Sequence, residues 1–427
     1  MYHLSSIEID RFRDEERRIN IPLDGEVNFF IGRNGTGKTT LMNLLHSALA
    51  ADVRILSQAK FSSITFRLRR SGDKKRPYIR VTKTADSDGD DIIEYQIAEG
   101  ARSKPDRYSI PAVSPTPAWR MMSTARSMPH YYDPLADYTA SIKRGIAKLV
   151  STSWISVHRA AMASPNDGEE RYESPVDRKL HQVAREFGTY FSVLDKQAAE
   201  ETDKFQQVYL LSLISPSGFD SLSSVGSVNA DEEKSAIRGM FAEFNIKSSV
   251  YSNKLENFSK RMSKALANYK PNSALAADDF LVLTDTIRIH DAVKEWHRLL
   301  DKRAKIYKPK DDFVSIVTDL FFRKKLSINA GNQPVFTDLK GDPLSLDNLS
   351  SGEKQLFILL GETLLQRRSD CIFMADEPEI SLHIDWQERL VPSLRRINPN
   401  AQILFATHSP DVVGAYGPNA IDLEKVI

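Results

Sequence analysis

The sequence contains almost no cysteine. Cys371 is the only cysteine among 427 residues, which excludes a disulfide framework and a zinc site built from cysteine thiolates. It lies within an apolar run, so we expect a buried and unreactive thiol. The nine histidines are scattered along the chain without metal-ligand spacing. The scarcity of cysteine indicates a reducing compartment, and we predict a cytoplasmic protein.

The sequence also lacks an excess of charge and a long apolar run. Lys and Arg number 58, against 57 Asp and Glu. This balance argues against a polybasic protein that wraps DNA or binds membranes through its net charge, although it does not exclude a local basic groove. No apolar stretch reaches the roughly 18 residues of a membrane-spanning helix. The N-terminus does not have the pattern of a signal peptide.

Hydrophobic residues make up 41% of the chain, a globular composition with enough material for two or three domains. The first hundred residues predict strands around one helix. Alternating apolar and polar residues over 64–68, 78–81 and 93–97 predict an antiparallel meander. Residues 98–122 contain four prolines and no clear period, so we predict a loop there. Residues 152–160 predict a further strand.

The middle of the chain changes to a helical period. Apolar residues recur at intervals of three and four over 180–208, 251–266 and 282–300. This spacing predicts long packed helices, arranged either as a coiled-coil hairpin or as an ordinary helical lobe without a supercoil. The Ser- and Gly-rich segment 215–233 predicts a mobile tip or linker. Strands return near residue 325.

Residues 32–40, with the sequence GRNGTGKTT, match the phosphate-loop pattern. They follow the apolar run Val27–Ile31, which predicts a buried strand, and precede a helical run of leucines. Glycines let backbone N–H groups turn toward phosphate, and the start of a helix adds partial positive charge. Lys38 is expected to reach the β- and γ-phosphate oxygens, and Thr39 to bind Mg²⁺. The residues of this loop that we predict to contact nucleotide are Asn34, Gly35, Thr36, Gly37, Lys38, Thr39 and Thr40.

Four later stretches complete the pattern of a nucleotide site. They are LSSGEKQ (residues 349–355), CIFMADEPE (371–379), SLH (381–383) and ILFATHSP (403–410). In this order, downstream of a phosphate loop, they resemble the signature, Walker B, D-loop and switch-histidine motifs of ABC-type ATPases. The resemblance implies that Thr39 and Asp376 hold Mg²⁺. It also implies ATP hydrolysis with Glu377 as general base, His408 beside the γ-phosphate and Lys38 as the catalytic cation.

The signature of ABC-type ATPases reads Leu-Ser-Gly-Gly-Gln, and this chain has Leu-Ser-Ser-Gly-Glu instead. The resemblance implies contacts with ATP bound to another subunit, made by Ser350, Ser351, Gly352 and Glu353. Because the chain has one phosphate loop, hydrolysis would require at least a head-to-head dimer, and we expect a larger homo-oligomer. The sequence has no guanine-binding motif and nothing that resembles a hydroxyl-acceptor site, which argues against a GTPase and a kinase.

The long interval between Lys38 and Ser350 resembles the SMC, RecF and OLD branch of this family. Transporter ATPases lack a helical insertion at this place. The implied fold is a mixed α/β ATPase head, with a core sheet and an antiparallel β-meander, interrupted by an inserted helical lobe. We predict the N-terminal half of the head over 1–160, the lobe over 161–322 and the C-terminal half of the head over 323–427.

The N-terminus resembles the opening of RecF-type proteins, which implies that Arg11 and Arg13 lie near the nucleotide. ABC-type ATPases also carry a Q-loop glutamine that senses the γ-phosphate, and Gln58 follows the first helix too closely for this role. His158 or Arg159, at the end of a predicted strand, is the candidate substitute, with a structural role for Arg159 as the alternative. Such a change is consistent with slow or gated turnover.

Within this branch, the stretches DEPEISLH and ATHSPDVV resemble OLD-type and defence-associated ATPases. OLD proteins continue into a Toprim nuclease domain, whereas this sequence ends at Ile427, soon after His408. We therefore expect a nuclease on a separate chain. This arrangement resembles the ATPase component of the two-gene anti-phage system PARIS, with Septu-type systems as second candidate. The resemblance implies an oligomeric sensor and scaffold, a separate Toprim effector and a phage protein as trigger.

Two other functions fit the same motifs. One is a DNA-repair ATPase that clamps duplex DNA. For that function the turn RRSGDKKRP, residues 69–77, is the candidate DNA contact, and a solvated hairpin tip is the alternative explanation of its charge. The other is a nucleotide switch with negligible turnover.

Overall fold

The structure is a computed structural model that describes residues 1–14, 17–85, 91–101, 103–111, 134–155, 174–214, 225–226, 228–270 and 276–427. The chain forms two compact units. We call Met1–Gly188 together with Asp312–Ile427 the head, and Thr189–Asp311 the lobe. No helix in the described ranges has the length and apolar character that crossing a bilayer requires.

The described strands all belong to the head. In chain order they are β1 (His3–Asp10), β2 (Arg18–Pro22), β3 (Val27–Ile31), β4 (Ser63–Arg69), β5 (Tyr78–Ala85), β6 (Asp91–Ala98), β7 (Asp106–Pro111), β8 (Thr152–Ile155), β9 (Lys325–Ile328), β10 (Pro334–Thr337), β11 (Pro343–Leu344), β12 (Cys371–Asp376), β13 (Ala401–Ala406) and β14 (Ala420–Asp422).

The described α-helices are, in chain order, α1 (Lys38–Ala50), α2 (Val53–Gln58), α3 (Pro134–Ala147), α4 (Pro175–Ile214), α5 (Ala230–Glu243), α6 (Ser248–Asn268), α7 (Ala277–Leu320), α8 (Ser351–Leu365), α9 (Ile384–Ile397), α10 (Pro410–Val413) and α11 (Leu423–Val426). Short 3-10 segments occur at Phe12–Asp14, Leu346–Asn348 and Gly414–Asn419.

The core of the head is a five-stranded parallel sheet in the order β14-β3-β13-β12-β8. Its central strands β3, β12 and β13 are almost completely buried along their length. Continuous apolar strands of this kind are typical of parallel sheets covered on both faces. The buried strand predicted over Val27–Ile31 is confirmed, and the phosphate loop follows it directly.

A second, antiparallel sheet has six strands in the order β2-β1-β4-β5-β6-β7. The predicted meander is confirmed, since β4, β5 and β6 pair antiparallel in sequence order. The predicted loop over 98–122 is wrong for residues 106–111, because β7 pairs with β6 there, whereas the described residues between these two strands lie in no strand or helix. An edge strand needs few apolar residues, and β7 buries only Ile110. Its prolines stand at the flanks, which obscured the alternation in the sequence.

The helix after the phosphate loop lies in the core that joins the two sheets. One apolar cluster contains Ile7 of β1, Leu45 of α1 and Leu404 of β13. The buried amide of Gln402 links the sheets further, because it donates to the carbonyl of Leu4 and accepts from its N–H, both at 2.8 Å. The phosphate loop is therefore supported by a rigid two-sheet core.

The helices predicted in the middle of the chain are confirmed: α4, α6 and α7 cover the three stretches with helical period. The supercoil stays a prediction. The aromatic rings of Phe187, at the start of α4, and Phe313, near the end of α7, pack edge to face with Phe357 of α8 in the head. The head thus includes the first turns of α4 and the last turns of α7. From the sequence we predicted the lobe over 161–322, which assigned these turns to the lobe.

The segment predicted as a mobile tip, 215–233, includes the start of α5 at Ala230. Asn229 caps this helix, since its side chain accepts from the N–H groups of Asp231 and Glu232. Acidic residues in a first turn complement the partial positive charge of a helix start. The prediction is therefore wrong for the last residues of the segment, and residues 215–224 and 227 lie outside the described part of the chain.

Candidate nucleotide site

Three predicted motifs meet at one edge of the parallel sheet. Strand β13 lies between β3 and β12, and the three strands point the same way. The phosphate loop follows β3, Asp376 and Glu377 stand at the end of β12, and His408 follows β13. Loops that follow parallel strands gather at the carboxyl edge, where open α/β sheets bind ligands. Residues distant in sequence are therefore adjacent in the fold.

The phosphate loop has the backbone that anion binding requires. Gly37 stands before the first residue of α1 with φ +97°, and no side chain caps this helix. An uncapped helix start leaves backbone N–H groups and partial positive charge for phosphate oxygens. A Cβ on Gly37 would lie 2.7 Å from Nη1 of Arg13. Glycine is needed here for its left-handed backbone, whereas the guanidinium of Arg13 is the end of a flexible side chain that could move away from a Cβ.

Lys38 is held by the loop it belongs to. Its Nζ donates to the carbonyl oxygens of Gly32 at 2.8 Å and Arg33 at 3.2 Å, and the residue is 4% exposed. Burial lowers the pKa of Lys38, and the nearby charges of Glu377 and Asp376 offset part of this shift. The Lys38 ammonium group is therefore held within the phosphate loop, where a cation can meet phosphate oxygens.

The predicted arginines differ in what the structure shows. Nη1 of Arg13 donates to the carbonyl of Gly35 at 3.0 Å, which places the guanidinium against the phosphate loop. The backbone N–H of Arg13 donates to the carbonyl of Lys60 at 3.1 Å, which fixes the turn after β1. Arg11 is exposed with φ 56°, and its role at the nucleotide stays a prediction.

The two predicted catalytic side chains lie side by side. Oε1 of Glu377 is 3.9 Å from Nε2 of His408, and both side chains are about one-third exposed, at 35% and 36%. Glu377 has φ 49°, and its N–H donates to the carbonyl of Ala406 at 2.8 Å. This left-handed turn lets the carboxylate leave the strand toward solvent. Their roles as general base and switch histidine stay predictions, and the structure places the two side chains together at this edge.

Glu379 is a site residue that the sequence did not assign. Its Oε1 accepts hydrogen bonds from Oγ1 of Thr407 at 2.6 Å, N of His408 at 2.9 Å and N of Ser409 at 3.3 Å. One carboxylate thus holds the whole turn that carries the switch histidine. In the sequence, Glu379 is only a second acidic residue two positions after Glu377. A polar residue after a buried strand explains its presence equally well.

Glu424 is a second residue of this kind. Its Oε1 accepts from the backbone N–H of Arg33 at 2.8 Å and so attaches the start of the phosphate loop to α11. No local pattern distinguishes Glu424 from an ordinary charged residue in a first helical turn. Only the pairing of β14 beside β3 brings it to the loop.

The signature residues lie at the start of α8. Ser350 is the N-cap, and Ser350 and Ser351 are exposed. Gly352 and Glu353 are buried. In the described part of the chain, no hydrogen bond or ion pair joins these residues to the phosphate loop of the same chain. The two serines are therefore exposed at the start of a helix and not bonded to the chain's own phosphate loop.

Glu353 has hydrogen-bond partners within its own chain, and its contact with nucleotide stays a prediction. We expected it among the nucleotide contacts, but the residue is 7% exposed. Its carboxylate accepts from the N–H of Ser350 at 2.7 Å and from Nζ of Lys324, with both oxygens at 2.7 Å. A capping box and an ion pair within the chain occupy the group that a nucleotide contact would need.

The D-loop packs directly on the signature helix. A Cβ on Gly352 would clash with the carbonyl oxygen of Ser381. Ser381 itself has φ 68°, which turns its carbonyl toward the helix. Nε2 of Gln355 donates to the carbonyl of Pro378 at 3.0 Å and adds a second link. Glycine at 352 is thus required by contact with the D-loop backbone.

The residues present fit a magnesium ion rather than a metal held by protein alone. Thr39 is the second residue of α1 and Asp376 the last of β12, so a hydroxyl and a carboxylate stand at the same sheet edge. Among the described residues, no group of three or more His, Cys, Asp or Glu is placed to hold a metal ion. Mg²⁺ in nucleotide sites takes one or two protein oxygens and completes its shell with phosphate and water.

The candidate substitutes for the Q-loop glutamine follow strand β8 in the sequence. Strand β8 ends at Ile155 on the far side of β12 from β13. His158 and Arg159 lie outside the described residues. Their assignment as substitutes for the glutamine stays a prediction.

Two family models match this chain. One, described as "AAA domain", matches residues 6–270, and the other, described as "AAA domain, putative AbiEii toxin, Type IV TA system", matches residues 244–414. The first covers more than half of the chain, including the phosphate loop. The chain belongs to the AAA domain family.

Curated relatives of this AAA-domain protein match it over a short segment. It is 33% identical over 89 residues to "Retron Ec83 probable ATPase" of Escherichia coli, which is 18% of this chain and 16% of that protein. It is 34% identical over 86 residues to "Retron Vc95 probable ATPase" of Vibrio cholerae, 17% of this chain and 16% of that protein. The chain therefore spans about a sixth of the length of these relatives.

Solved structures similar to this AAA-domain protein include heads of Smc proteins. An Smc head of Pyrococcus furiosus with an extended coiled coil, bound to the C-terminal domain of ScpA, aligns with a TM-score of 0.44 at 11% identity, over 99% of this chain and 94% of that one. The SMC head domain of Thermotoga maritima aligns with a TM-score of 0.36 at 10% identity, over 96% of this chain and 91% of that one.

Proposed function

We propose that this protein binds and hydrolyses ATP as an ABC-type ATPase of the SMC, RecF and OLD branch. The observation that carries the proposal is the meeting of the phosphate loop, Asp376, Glu377 and His408 at the ends of three adjacent parallel strands, with Glu377 and His408 3.9 Å apart. A phosphate-binding cation, a base and a histidine at one sheet edge suit phosphoryl transfer to water.

In this mechanism the chain's own residues position the reactants. The uncapped start of α1 and Lys38 hold the β- and γ-phosphates. Arg13 supports the phosphate loop through its hydrogen bond to the carbonyl of Gly35. Glu377 orients a water molecule and takes its proton as the oxygen attacks the γ-phosphorus, while the bond to the β-phosphate breaks and ADP leaves. His408 binds the γ-phosphate from the neighbouring strand. Mg²⁺, held by Thr39 and Asp376, supplies charge neutralisation on the phosphate oxygens when it is bound.

The signature completes the site in a second copy of the chain. Ser350 and Ser351 are exposed at a helix start, and in the described part of the chain they make no hydrogen bond to the phosphate loop. A helix start with free hydroxyl groups is suited to a γ-phosphate. Two heads would then enclose two ATP molecules, each head supplying its signature to the nucleotide of the other.

We further propose that this ATPase acts as an oligomeric sensor and scaffold in anti-phage defence. ATP closure of the heads would hold or release a separate effector, a Toprim nuclease, when a phage protein acts as trigger. The proposal is supported by the resemblance of DEPEISLH and ATHSPDVV to defence-associated ATPases of the PARIS and Septu type, by the retron ATPases among its relatives and by the second family model. Turnover would be slow or gated.

The mass of the particle in solution tests this proposal. Light scattering is run on the full chain with and without ATP and Mg²⁺, for the wild type and Glu377→Gln. We expect an assembly of several subunits that is stable without DNA, because a scaffold must persist between triggers. A monomer that pairs only when both ATP and DNA are present would contradict the scaffold and support the repair ATPase.

The basic turn between β4 and β5 is the candidate contact of the DNA-clamping alternative and can be tested separately. Lys74, Lys75 and Arg76 are exposed there, and the turn is anchored because the hydroxyl of Tyr2 donates to Asp73 at 2.7 Å. If this turn contacts DNA, replacing the three cations with alanine should reduce the slope of log affinity against log salt by about 3. We expect the protein to bind no DNA at moderate salt, because the charge of this turn is explained by a solvated hairpin tip. A salt-dependent affinity that disappears in the triple variant would establish the contact instead.

A further inference from the structure

The end of helix α7, where the chain passes from the lobe back into the head, lies beside the signature residues. Helix α7 ends at Leu320, and Lys324 follows just before β9. Nζ of Lys324 lies 2.7 Å from both carboxylate oxygens of Glu353, in the first turn of the signature helix α8. The side chains of this pair are only 22% and 9% exposed. Both partners lie within the head.

The same carboxylate shapes the turn that carries the signature serines. It accepts from the N–H of Ser350 at 2.7 Å, while Oγ of Ser350 accepts from the N–H of Glu353 at 3.3 Å. This capping box fixes the backbone at the point where Ser350 and Ser351 are exposed. Burial on its own would raise the pKa of Glu353, but the hydrogen bonds from Lys324 and Ser350 outweigh it, and the pKa lies below the usual value. Glu353 is therefore a charged acceptor with two partners.

A second set of contacts links the end of α7 to the same helix start. Nε1 of Trp386 donates to the carbonyl of Leu320 at 2.9 Å, and the Trp386 ring stacks on Phe321 with centroids 6.0 Å apart. The ring of Trp386 also lies 3.2 Å from the Cβ position of Gly352. The end of α7, the signature turn and the start of α9 thus form one packed junction.

An ion pair buried in this way is a poor source of stability, because both charges lose hydration. Its geometry is nevertheless specific. A lysine that bonds both oxygens fixes the carboxylate rotamer, and the carboxylate in turn fixes the Ser350 N–H. We propose that Lys324 is a positioning residue, which holds the signature turn in the orientation needed to act on the ATP of a second copy of the chain and makes that orientation depend on the end of α7. This inference rests on the proposed function.

The alternative is that Lys324 only contributes to folding. The two explanations differ in what a substitution changes. If Lys324 positions a signature that acts on the ATP of a second head, its substitution lowers turnover and ATP-dependent association. Binding of ATP to the phosphate loop of the same chain is then unchanged. A purely structural residue lowers the melting temperature, and whatever activity remains per folded molecule is normal.

The experiment compares Lys324→Met with Lys324→Arg and with Lys325→Met in the full chain. Lys325 is the matched control, because it is the neighbouring lysine, is exposed, and has no carboxylate partner in the described part of the chain. The measurements are affinity for a fluorescent ATP analogue, kcat and KM for phosphate release, ATP-dependent mass in a Glu377→Gln background and melting temperature.

We expect Lys324→Met to lower kcat by about tenfold or more and to weaken ATP-dependent association, with analogue affinity within about twofold of the wild type. Lys324→Arg should recover much of the loss, since a guanidinium also bonds both carboxylate oxygens. The control variant should match the wild type. A kcat per folded molecule within about twofold of the wild type for Lys324→Met would overturn the inference.

Two further outcomes separate this inference from the proposed function. If Lys324→Met does not fold, Glu353→Gln replaces it, because glutamine preserves the capping box and removes the charge that Lys324 binds. An unchanged kcat in that variant overturns the inference. If the wild type releases no phosphate at all, hydrolysis fails as the function, and the inference is judged by ATP-dependent association alone, where an unchanged Lys324→Met rejects it.

Discussion

Replacing Glu377 with glutamine is expected to lower ATP turnover by about 10²–10⁴-fold, the usual contribution of a positioned general base. The amide has nearly the same shape and can still lie 3.9 Å from His408, but it cannot accept the proton of the attacking water. Nucleotide affinity should change little, because the phosphate loop and Lys38 supply the binding. The variant should therefore accumulate with ATP bound, and the head-to-head assembly should become more stable.

The measurement is phosphate release in a single turnover, together with retention of labelled ATP after rapid desalting. Glu388→Gln is the matched control, because Glu388 is an exposed carboxylate on α9 without a hydrogen bond or ion pair in the described part of the chain. Turnover in Glu377→Gln close to that of the control would remove Glu377 from the role of base. Absence of phosphate release in the wild type, with no change in the variant, would identify a nucleotide switch instead.

Replacing Glu379 with alanine is expected to affect both stability and catalysis. Its carboxylate accepts from the Thr407 hydroxyl and from the N–H groups of His408 and Ser409. Thr407 is buried, whereas His408 is exposed and Ser409 half-buried, so the Thr407 hydroxyl is the donor that loses its acceptor without access to water. Leaving one buried donor without an acceptor costs about 1–3 kcal/mol, and we expect the free energy of unfolding to fall by about that amount. Turnover should fall by about 10²-fold, since a displacement of about 1 Å at a reacting group has that effect.

Chemical denaturation and steady-state kinetics on the folded fraction separate the two effects. Glu379→Gln retains an acceptor oxygen without its charge, so its losses should lie between those of the alanine variant and the wild type. Glu388→Ala is the control for loss of a carboxylate in this part of the head. If Glu379→Ala is destabilised but its folded fraction turns over ATP normally, the carboxylate supports the fold and does not position His408.

The sequence predicted most of the site because its information is local. A phosphate loop needs glycine at fixed positions, a lysine and a hydroxyl within one strand–turn–helix, and these residues are contiguous in GRNGTGKTT. Buried parallel strands are continuous apolar runs, so β3, β12 and β13 could be predicted together with the polar residues that follow them. The helical period in the middle of the chain likewise specified α4, α6 and α7.

Local pattern failed where an element depends on its neighbours. Strand β7 has one buried residue, Ile110, and its hydrogen bonds to β6 maintain it. The start of α5 depends on the cap at Asn229, inside a stretch whose serines and glycines indicated a linker. In both cases a weak hydrophobic signal was overridden by backbone hydrogen bonding that composition does not reveal.

The sequence by itself determined that the chain has a phosphate-loop pattern and stretches that resemble a Walker B acid pair and a signature, since each is a short contiguous run. Only the tertiary structure decided how the remaining polar residues are used. It assigned Glu353 to Lys324 and Ser350, and Glu379 to the turn of His408. Carboxylates look alike in a sequence. Which donors surround a carboxylate depends on strands and helices that are distant along the chain and adjacent in space.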